Sequence, residues 1–281
     1  MALWRVACGE DVRLAAGAVD TGPQELLPAG LTIGGLLAAG ADAVADAALG
    51  RLPAAPLTQP WTALAPADGQ EIWAAGVTFE RSREARVEES GDGDVYDRVY
   101  DADRPELFLK ATDRTVRGPG AELCIRPDSS WDVPEPELCV AVDAAGGIAG
   151  YTIGNDMSSR SIEGDNPLYI PQAKIYDASC GLGPCLVAPA EAGPVADMLI
   201  RLQIVRDGAT AFSGEAELRT MRRAPDELVD WLRRAQTFPR GVFLCTGTSV
   251  VPGPELTLRP GDRVTISITG LGQLINSIGR A

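Results

Sequence analysis

The chain has 281 residues, 25 Lys+Arg against 39 Asp+Glu for a formal charge of −14, and 45% apolar side chains. That balance excludes a nucleic-acid scaffold or an anionic membrane surface as partner, and the apolar content excludes a disordered chain. Histidine is absent, which removes Ser-His-Asp triads, Cys-His dyads and His-ligated zinc, so acid–base work falls to carboxylates, Lys, Tyr, Cys or metal-bound water.

From the N-terminus, apolar and polar residues alternate over 3–19 around Gly9-Glu10-Asp11, a pattern that predicts a hairpin. Thr32 is placed to cap a helix carrying Ile33, Leu36 and Leu37, and residues 41–49 predict a second, Ala-rich helix. Pro53, Pro56, Pro60 and Pro66 then read as a linker. The expected organisation is a small N-terminal domain, residues 1–66, and a larger domain, residues 67–281. In the larger part, β-rich runs over 72–78, 107–110, 138–143, 150–155, 199–206, 242–246 and 263–269 are separated by Gly- and Pro-rich turns. The amphipathic helix expected there covers 226–234, with Leu228, Trp231 and Leu232 on one face. Strands without regular βαβ alternation predict an α+β, β-rich roll rather than a doubly wound sheet. The acidic segment 88–104 has few aliphatic residues and is expected to be a mobile loop that closes over a ligand. Cys8, Cys124, Cys139, Cys180, Cys185 and Cys245 are too sparse for a disulfide framework and are expected as buried free thiols. Residues 1–10 lack the apolar stretch of a signal peptide and no run reaches membrane-span length, so a cytoplasmic protein with no membrane partner is expected.

Glu135 and Glu137 stand two apart at the entrance to the strand 138–143, so an extended backbone from Glu135 points both carboxylates from one face. The turn at 144–147 reverses the chain, and the next strand ends at Asn155-Asp156, which brings Asp156 back beside the two glutamates. Three converging carboxylates call for a cation, and all-oxygen ligation suits Mg²⁺, Mn²⁺ or Ca²⁺. Spacing alone fits a solvated strand entrance better than a metal site.

The downstream motifs bear on that choice. The E-x-E pair, the N-D-x-S-x-R segment at 155–160, P-Q-A-K at 171–174, Gly183-Pro184, T-G-T at 246–248 and L-R-P-G-D at 258–262 together resemble the fumarylacetoacetate hydrolase family over about residues 70–281. The resemblance implies a fumarylacetoacetate hydrolase-type β-roll catalytic domain, a homodimer or homotetramer, and a divalent cation, Mg²⁺ foremost, held by Glu135, Glu137 and Asp156. It implies Lys174 at the substrate, with Gly247, Thr248 and Arg160 among the residues that bind it. Such a constellation suits a 2-oxo acid, whose carboxylate and keto oxygen chelate the cation while it stabilises an enolate.

The hydrolases of the family resemble G-x-N-Y-x-x-H-x-x-E, whose His–Glu pair activates water. Here the segment runs Gly76-Val-Thr78-Phe79 onward with Ser82 at the histidine position and Ala85 at the glutamate position. Together with Pro105-Glu106-Leu-Phe-Leu-Lys110 it is similar instead to the 2-keto-3-deoxy-D-arabinonate dehydratase branch. That similarity implies Glu106 and Lys174 as the acid–base pair and adds Ser82 and Arg83 to the substrate-binding residues. Taken alone, Glu106 reads equally as a surface carboxylate of the loop, and Lys174 as an ordinary surface lysine. The expected function is a metal-dependent lyase that dehydrates a 2-keto-3-deoxy sugar acid. The alternatives are a C–C bond hydrolase or decarboxylase acting on an acylpyruvate or other β-dicarbonyl acid, and a catalytically silent 2-oxo acid binder.

Overall fold

The computed structural model describes residues 1–80 and 98–281. Ser82, Arg83 and most of the loop expected over 88–104 lie outside the described residues.

The predicted hairpin is formed by β1 (Ala2–Cys8) and β2 (Asp11–Ala18), paired from Ala2↔Gly17 to Cys8↔Asp11. β3 (Gly22–Leu26) follows, then the helices α1 (Ile33–Ala39) and α2 (Ala41–Ala48). The Thr32 hydroxyl accepts from the Gly35 N–H at 3.0 Å, as its cap position requires. The remaining exposed amides of both helix starts are met by carboxylates from later in the chain. Asp68 accepts from Ile33 and Gly34 N–H at 2.5 and 2.8 Å, and Asp143 accepts from Ala41 N–H at 2.9 Å.

The expected linker is not featureless, because β4 (Ala55–Pro56) pairs with β3 and β5 (Thr62–Ala63) pairs with β1. Two-residue edge strands tolerate proline, since few ladder hydrogen bonds depend on its missing N–H. The middle of the chain supplies β6 (Ile72–Gly76), β7 (Glu106–Ala111), β8 (Val116–Arg117), β9 (Glu122–Ile125), β10 (Asp132–Val133), β11 (Pro136–Val142), β12 (Ile148–Asp156) and β13 (Ser158–Ser159). Two short helices, α3 (Arg160–Asp165) and α4 (Ile170–Lys174), precede β14 (Cys180–Val187). After it come β15 (Leu199–Arg206), β16 (Ala209–Glu217), the predicted amphipathic helix α5 (Pro225–Arg233), β17 (Val242–Thr248), β18 (Arg263–Ile268) and β19 (Gly272–Arg280).

Among the described residues the main sheet runs β4-β3-β2-β1-β14-β12-β11-β17-β6-β7, and a second sheet runs β16-β15-β18-β19-β9. Leu3 of β1 pairs with Leu186 of β14, so the strands before residue 66 continue the main sheet. Most pairings are antiparallel; β8 with β14, β6 with β17 and β9 with β19 are parallel. One core lies between the sheets, where Leu138, Ile153 and Cys185 meet Ile200, Leu202, Ile266 and Leu274. A second lies under α1 and α2, joining Leu37 and Val44 to Cys139, Leu186 and Phe243. A third sits under α5, where Leu228 and Leu232 cover Val140, Val142 and Leu244. β11 touches all three, and each of its seven residues is buried.

The L-R-P-G-D segment has a structural role. The Asp262 carboxylate, 1% exposed, accepts from Arg259 N–H at 2.8 Å and from Arg206 through Nε and Nη2 at 2.8 and 2.7 Å. Asp262→Ala leaves the Arg206 fork without its acceptor, and is expected to lower unfolding free energy by about 2–3 kcal/mol in a urea titration. All six cysteines are free, and burial pushes the Cys185 thiol up to about 12 and the Cys180 thiol higher still. Ellman's reagent is therefore expected to titrate at most Cys124 quickly in native protein, and all six thiols in denaturant.

Candidate metal and active site

The β11–β12 hairpin places the carboxylates as its register dictates. Pro136 faces Asn155, and the Asp156 N–H donates to the Glu135 carbonyl at 2.9 Å, so Asp156 lies beside the two glutamates. Oxygens of Glu135, Glu137 and Asp156 lie within 4.8 Å of one another, and all three side chains are buried. The ladder between β11 and β17 shifts register between Glu137 and Cys139, an irregularity of the kind that re-aims side chains beside active sites.

Gly247, in β17, holds Glu137 through its backbone, its N–H donating to Oε2 at 2.7 Å. Its φ is +96°, and a Cβ there would fall 1.9 Å from Thr78 Oγ1, so both conformation and space require glycine. Gly76 leaves room for Glu106, which faces it across the β6–β7 pair: a Cβ on Gly76 would meet Glu106 Oε2 at 1.9 Å. Val77, the next residue, turns the chain with φ +53°, a costly conformation for a β-branched side chain, at the edge of the site.

Three cations surround the carboxylates. Lys174, the last residue of α4, extends Nζ to Glu135 Oε2 at 2.8 Å, Asp156 Oδ2 at 3.0 Å and Ser158 Oγ at 2.5 Å. Arg160, at the start of α3, donates from Nη2 to Glu135 Oε1 at 2.6 Å. Lys110, in β7, approaches Asp156 Oδ1 at 2.7 Å. Burial holds the Glu137 carboxyl well above the usual carboxylate range, and the charges of Asp156 and Glu135 add to the shift; Lys174 and the Gly247 N–H oppose it.

These residues fit a divalent cation. The donors are all carboxylate oxygens, their separation matches the span of one ion with oxygen bonds of roughly 2.1–2.5 Å, and a positive charge among them would offset the burial and like-charge repulsion that raise the Glu137 carboxyl's proton affinity.

Glu106, Arg160, Glu163, Lys174 and Thr248 line one cavity with the three carboxylates. The fold thus brings together every site residue expected from the sequence within the described residues. Gly247 meets Glu137 through its N–H. Arg160 meets Glu135, and Thr248 donates from Oγ1 to the Val250 carbonyl at 3.3 Å. Lys110 and Arg160 reach the carboxylates from other elements, β7 and the start of α3. Two residues of this site carried no expected role, Lys110 and Glu163. Lys110 had a sequence signal: Glu106, Phe108 and Lys110 alternate with Leu107 and Leu109, so one face of β7 carries a charged residue at each end.

Comparison with known proteins gives the following. The family model described as "Fumarylacetoacetate (FAA) hydrolase C-terminal" matches residues 72–279. A protein of Haloferax volcanii named "Probable 2-keto-3-deoxyxylonate dehydratase" is 49% identical over 216 residues, 77% of this chain and 74% of that protein. The 2-dehydro-3-deoxy-D-arabinonate dehydratase of Saccharolobus solfataricus is 42% identical over 217 residues, 76% of this chain and 73% of that protein. The solved structure of a 2-keto-3-deoxy-D-arabinonate dehydratase complexed with magnesium and 2,5-dioxopentanoate superposes with a TM-score of 0.86 at 32% identity, covering 100% of this chain and 99% of that one.

Proposed function

We propose that this chain, which belongs to the fumarylacetoacetate hydrolase family, is a divalent-metal-dependent hydro-lyase that dehydrates a 2-keto-3-deoxy sugar acid. The observation that carries the reading is the shared cavity: Glu106 and Lys174 line it together with the three carboxylates, in a chain without histidine. The related structure holding magnesium and a five-carbon dioxo acid supports it.

Glu135, Glu137 and Asp156 hold the ion, Mg²⁺ in the first instance with Mn²⁺ as a substitute. When bound, it would supply Lewis-acid chemistry that makes the C3 hydrogen of a 2-oxo acid more acidic. Dehydration then breaks the C3–H and C4–O bonds, forms a C3=C4 double bond and releases water. Lys174 projects among the metal-site carboxylates, where the 2-oxo end binds, and forms the acid–base pair with Glu106 of β7. One of the two takes the C3 proton and the other supplies the proton that leaves with the C4 hydroxyl. Thr248 and Arg160 bind the acid's oxygens, with Gly247 setting the backbone between Glu137 and Thr248. Ser82 and Arg83 are proposed contacts to the sugar hydroxyls, and the segment 88–104 a lid. Residues 1–66 form a small N-terminal unit beside a catalytic unit, residues 67–281, a division the family match from residue 72 supports. The protein works as a cytoplasmic homodimer or homotetramer; among the described residues no helix is long and apolar enough to cross a membrane.

Product analysis tests the reaction class. Incubated with Mg²⁺ and a panel of a 2-keto-3-deoxypentonate, an acylpyruvate and oxaloacetate, the protein is expected to convert the sugar acid fastest, retaining all its carbons. Release of a shorter acid or CO₂ as the faster reaction overturns the proposal in favour of hydrolysis or decarboxylation. Glu106→Gln is expected to remove most of the dehydration rate and to leave metal binding in place.

A further inference from the structure

Lys110 is wholly buried, and it is absent from the residues that line the catalytic cavity. Its ammonium has three partners: it forms an ion pair with Asp156 Oδ1 at 2.7 Å and donates to the Met157 carbonyl at 2.8 Å and the Lys174 carbonyl at 2.5 Å. The first two lie where β12 ends: Asp156 closes the strand and Met157 follows it. The third is a carbonyl of the last turn of α4, where the helix itself supplies no donor. One side chain from β7 therefore ties the strand end bearing Asp156 to the helix end bearing Lys174. Asp156 is gripped on both oxygens, Oδ2 by Lys174 and Oδ1 by Lys110. The two lysines differ in what lies beyond them, because Lys174 lines the cavity and Lys110 stands behind the carboxylate.

We infer that Lys110 is a positioning residue, which orients the Asp156 carboxylate toward the cation and fixes the distance between that carboxylate and the Lys174 amine. The inference rests on the metal-dependent reading above. It adds a division of labour between two buried lysines: Lys174 exchanges partners as substrate arrives, while Lys110 keeps its ion pair and two carbonyls throughout the cycle. A burial this complete is otherwise unfavourable for an ammonium, and the ion pair with two carbonyl acceptors is what sustains it.

The test is Mn²⁺ binding to the full-length Lys110→Met protein, followed by electron paramagnetic resonance of the free ion. Removing a positive charge from beside Asp156 would, by charge alone, tighten cation binding. Loss of positioning does the opposite, and partners of this kind are typically worth about 10–100-fold in metal affinity or activity. The expected result is a Mn²⁺ dissociation constant raised at least tenfold, and kcat at saturating Mn²⁺ lowered at least tenfold with KM for the sugar acid little changed. Unchanged or tighter Mn²⁺ binding overturns the inference, because a merely structural residue would lower the melting temperature without weakening the site. If Lys110→Met does not fold, a crystal structure of the unmodified protein with Mn²⁺ decides. Lys110 Nζ still within hydrogen-bond distance of Asp156 and the Lys174 carbonyl supports it, and Nζ withdrawn from either overturns it. The Mn²⁺ titration and the crystal structure use no turnover, so a protein inactive on sugar acids would refute the dehydration reading and leave this one to be judged by those two measurements.

Discussion

Lys174→Met is expected to lower kcat for a 2-keto-3-deoxy sugar acid by about 10²–10⁴-fold, the range over which a positioned acid or base contributes, with Mn²⁺ bound no more weakly than before. The amine donates to Glu135, Asp156 and Ser158 and lines the cavity, so it stands where a proton-transfer group for the proposed reaction is needed and competes with a cation for the carboxylates. Methionine keeps the length and apolar volume of the stem beside the Phe108 ring, over which Nζ lies at 5.6 Å. Steady-state kinetics with a parallel Mn²⁺ titration separates the two roles. A large loss of kcat with an intact metal site is the signature of a proton-transfer residue; wild-type kcat would remove Lys174 from the chemistry. Weakened Mn²⁺ binding would instead make it a residue of the metal site.

Glu137→Gln is expected to weaken divalent-cation binding by at least 100-fold and to abolish turnover, while the protein stays folded. The amide oxygen can still accept from the Gly247 N–H, so the β11–β17 contact survives the substitution. What disappears is one of three anionic donors. The sign of the stability change follows from the carboxyl's raised proton affinity. The metal-free fold favours the neutral form more than the unfolded chain does, so the stability this group contributes is present at low pH and is lost as pH rises through its folded-state value. A neutral amide lacks that loss, and metal-free Glu137→Gln is expected to melt at or above the temperature of the metal-free parent at pH 8. Thermal melts with and without Mg²⁺ check both halves: the parent is stabilised by the ion and the variant is not. A variant that retains Mg²⁺-dependent turnover after chelation and reloading would remove Glu137 from the ligand set.

How much of this was legible in advance depends on the range over which each feature is set. The hairpins, the Thr32 cap and the convergence of Glu135, Glu137 and Asp156 follow from period-two alternation and a short turn, both local properties of the chain. The missing histidine is a fact of composition, and it shapes the chemistry whatever the fold. β14 illustrates the opposite case. It carries Gly181, Gly183 and Pro184, which are poor strand formers, yet it is a fully buried strand held between β1 and β12, because pairing on both sides outweighs the weak strand preference of those residues. The charge balance of the site was likewise invisible along the sequence. Lys110 reaches Met157 and Lys174 across separations of 47 and 64 residues, and only the packing of β7 against α4 and the end of β12 brings the three together. The sequence by itself determined which groups are available and which near neighbours converge. The tertiary structure decided which cations stand among the carboxylates, since a buried charge takes its partners from whatever elements the core packs beside it.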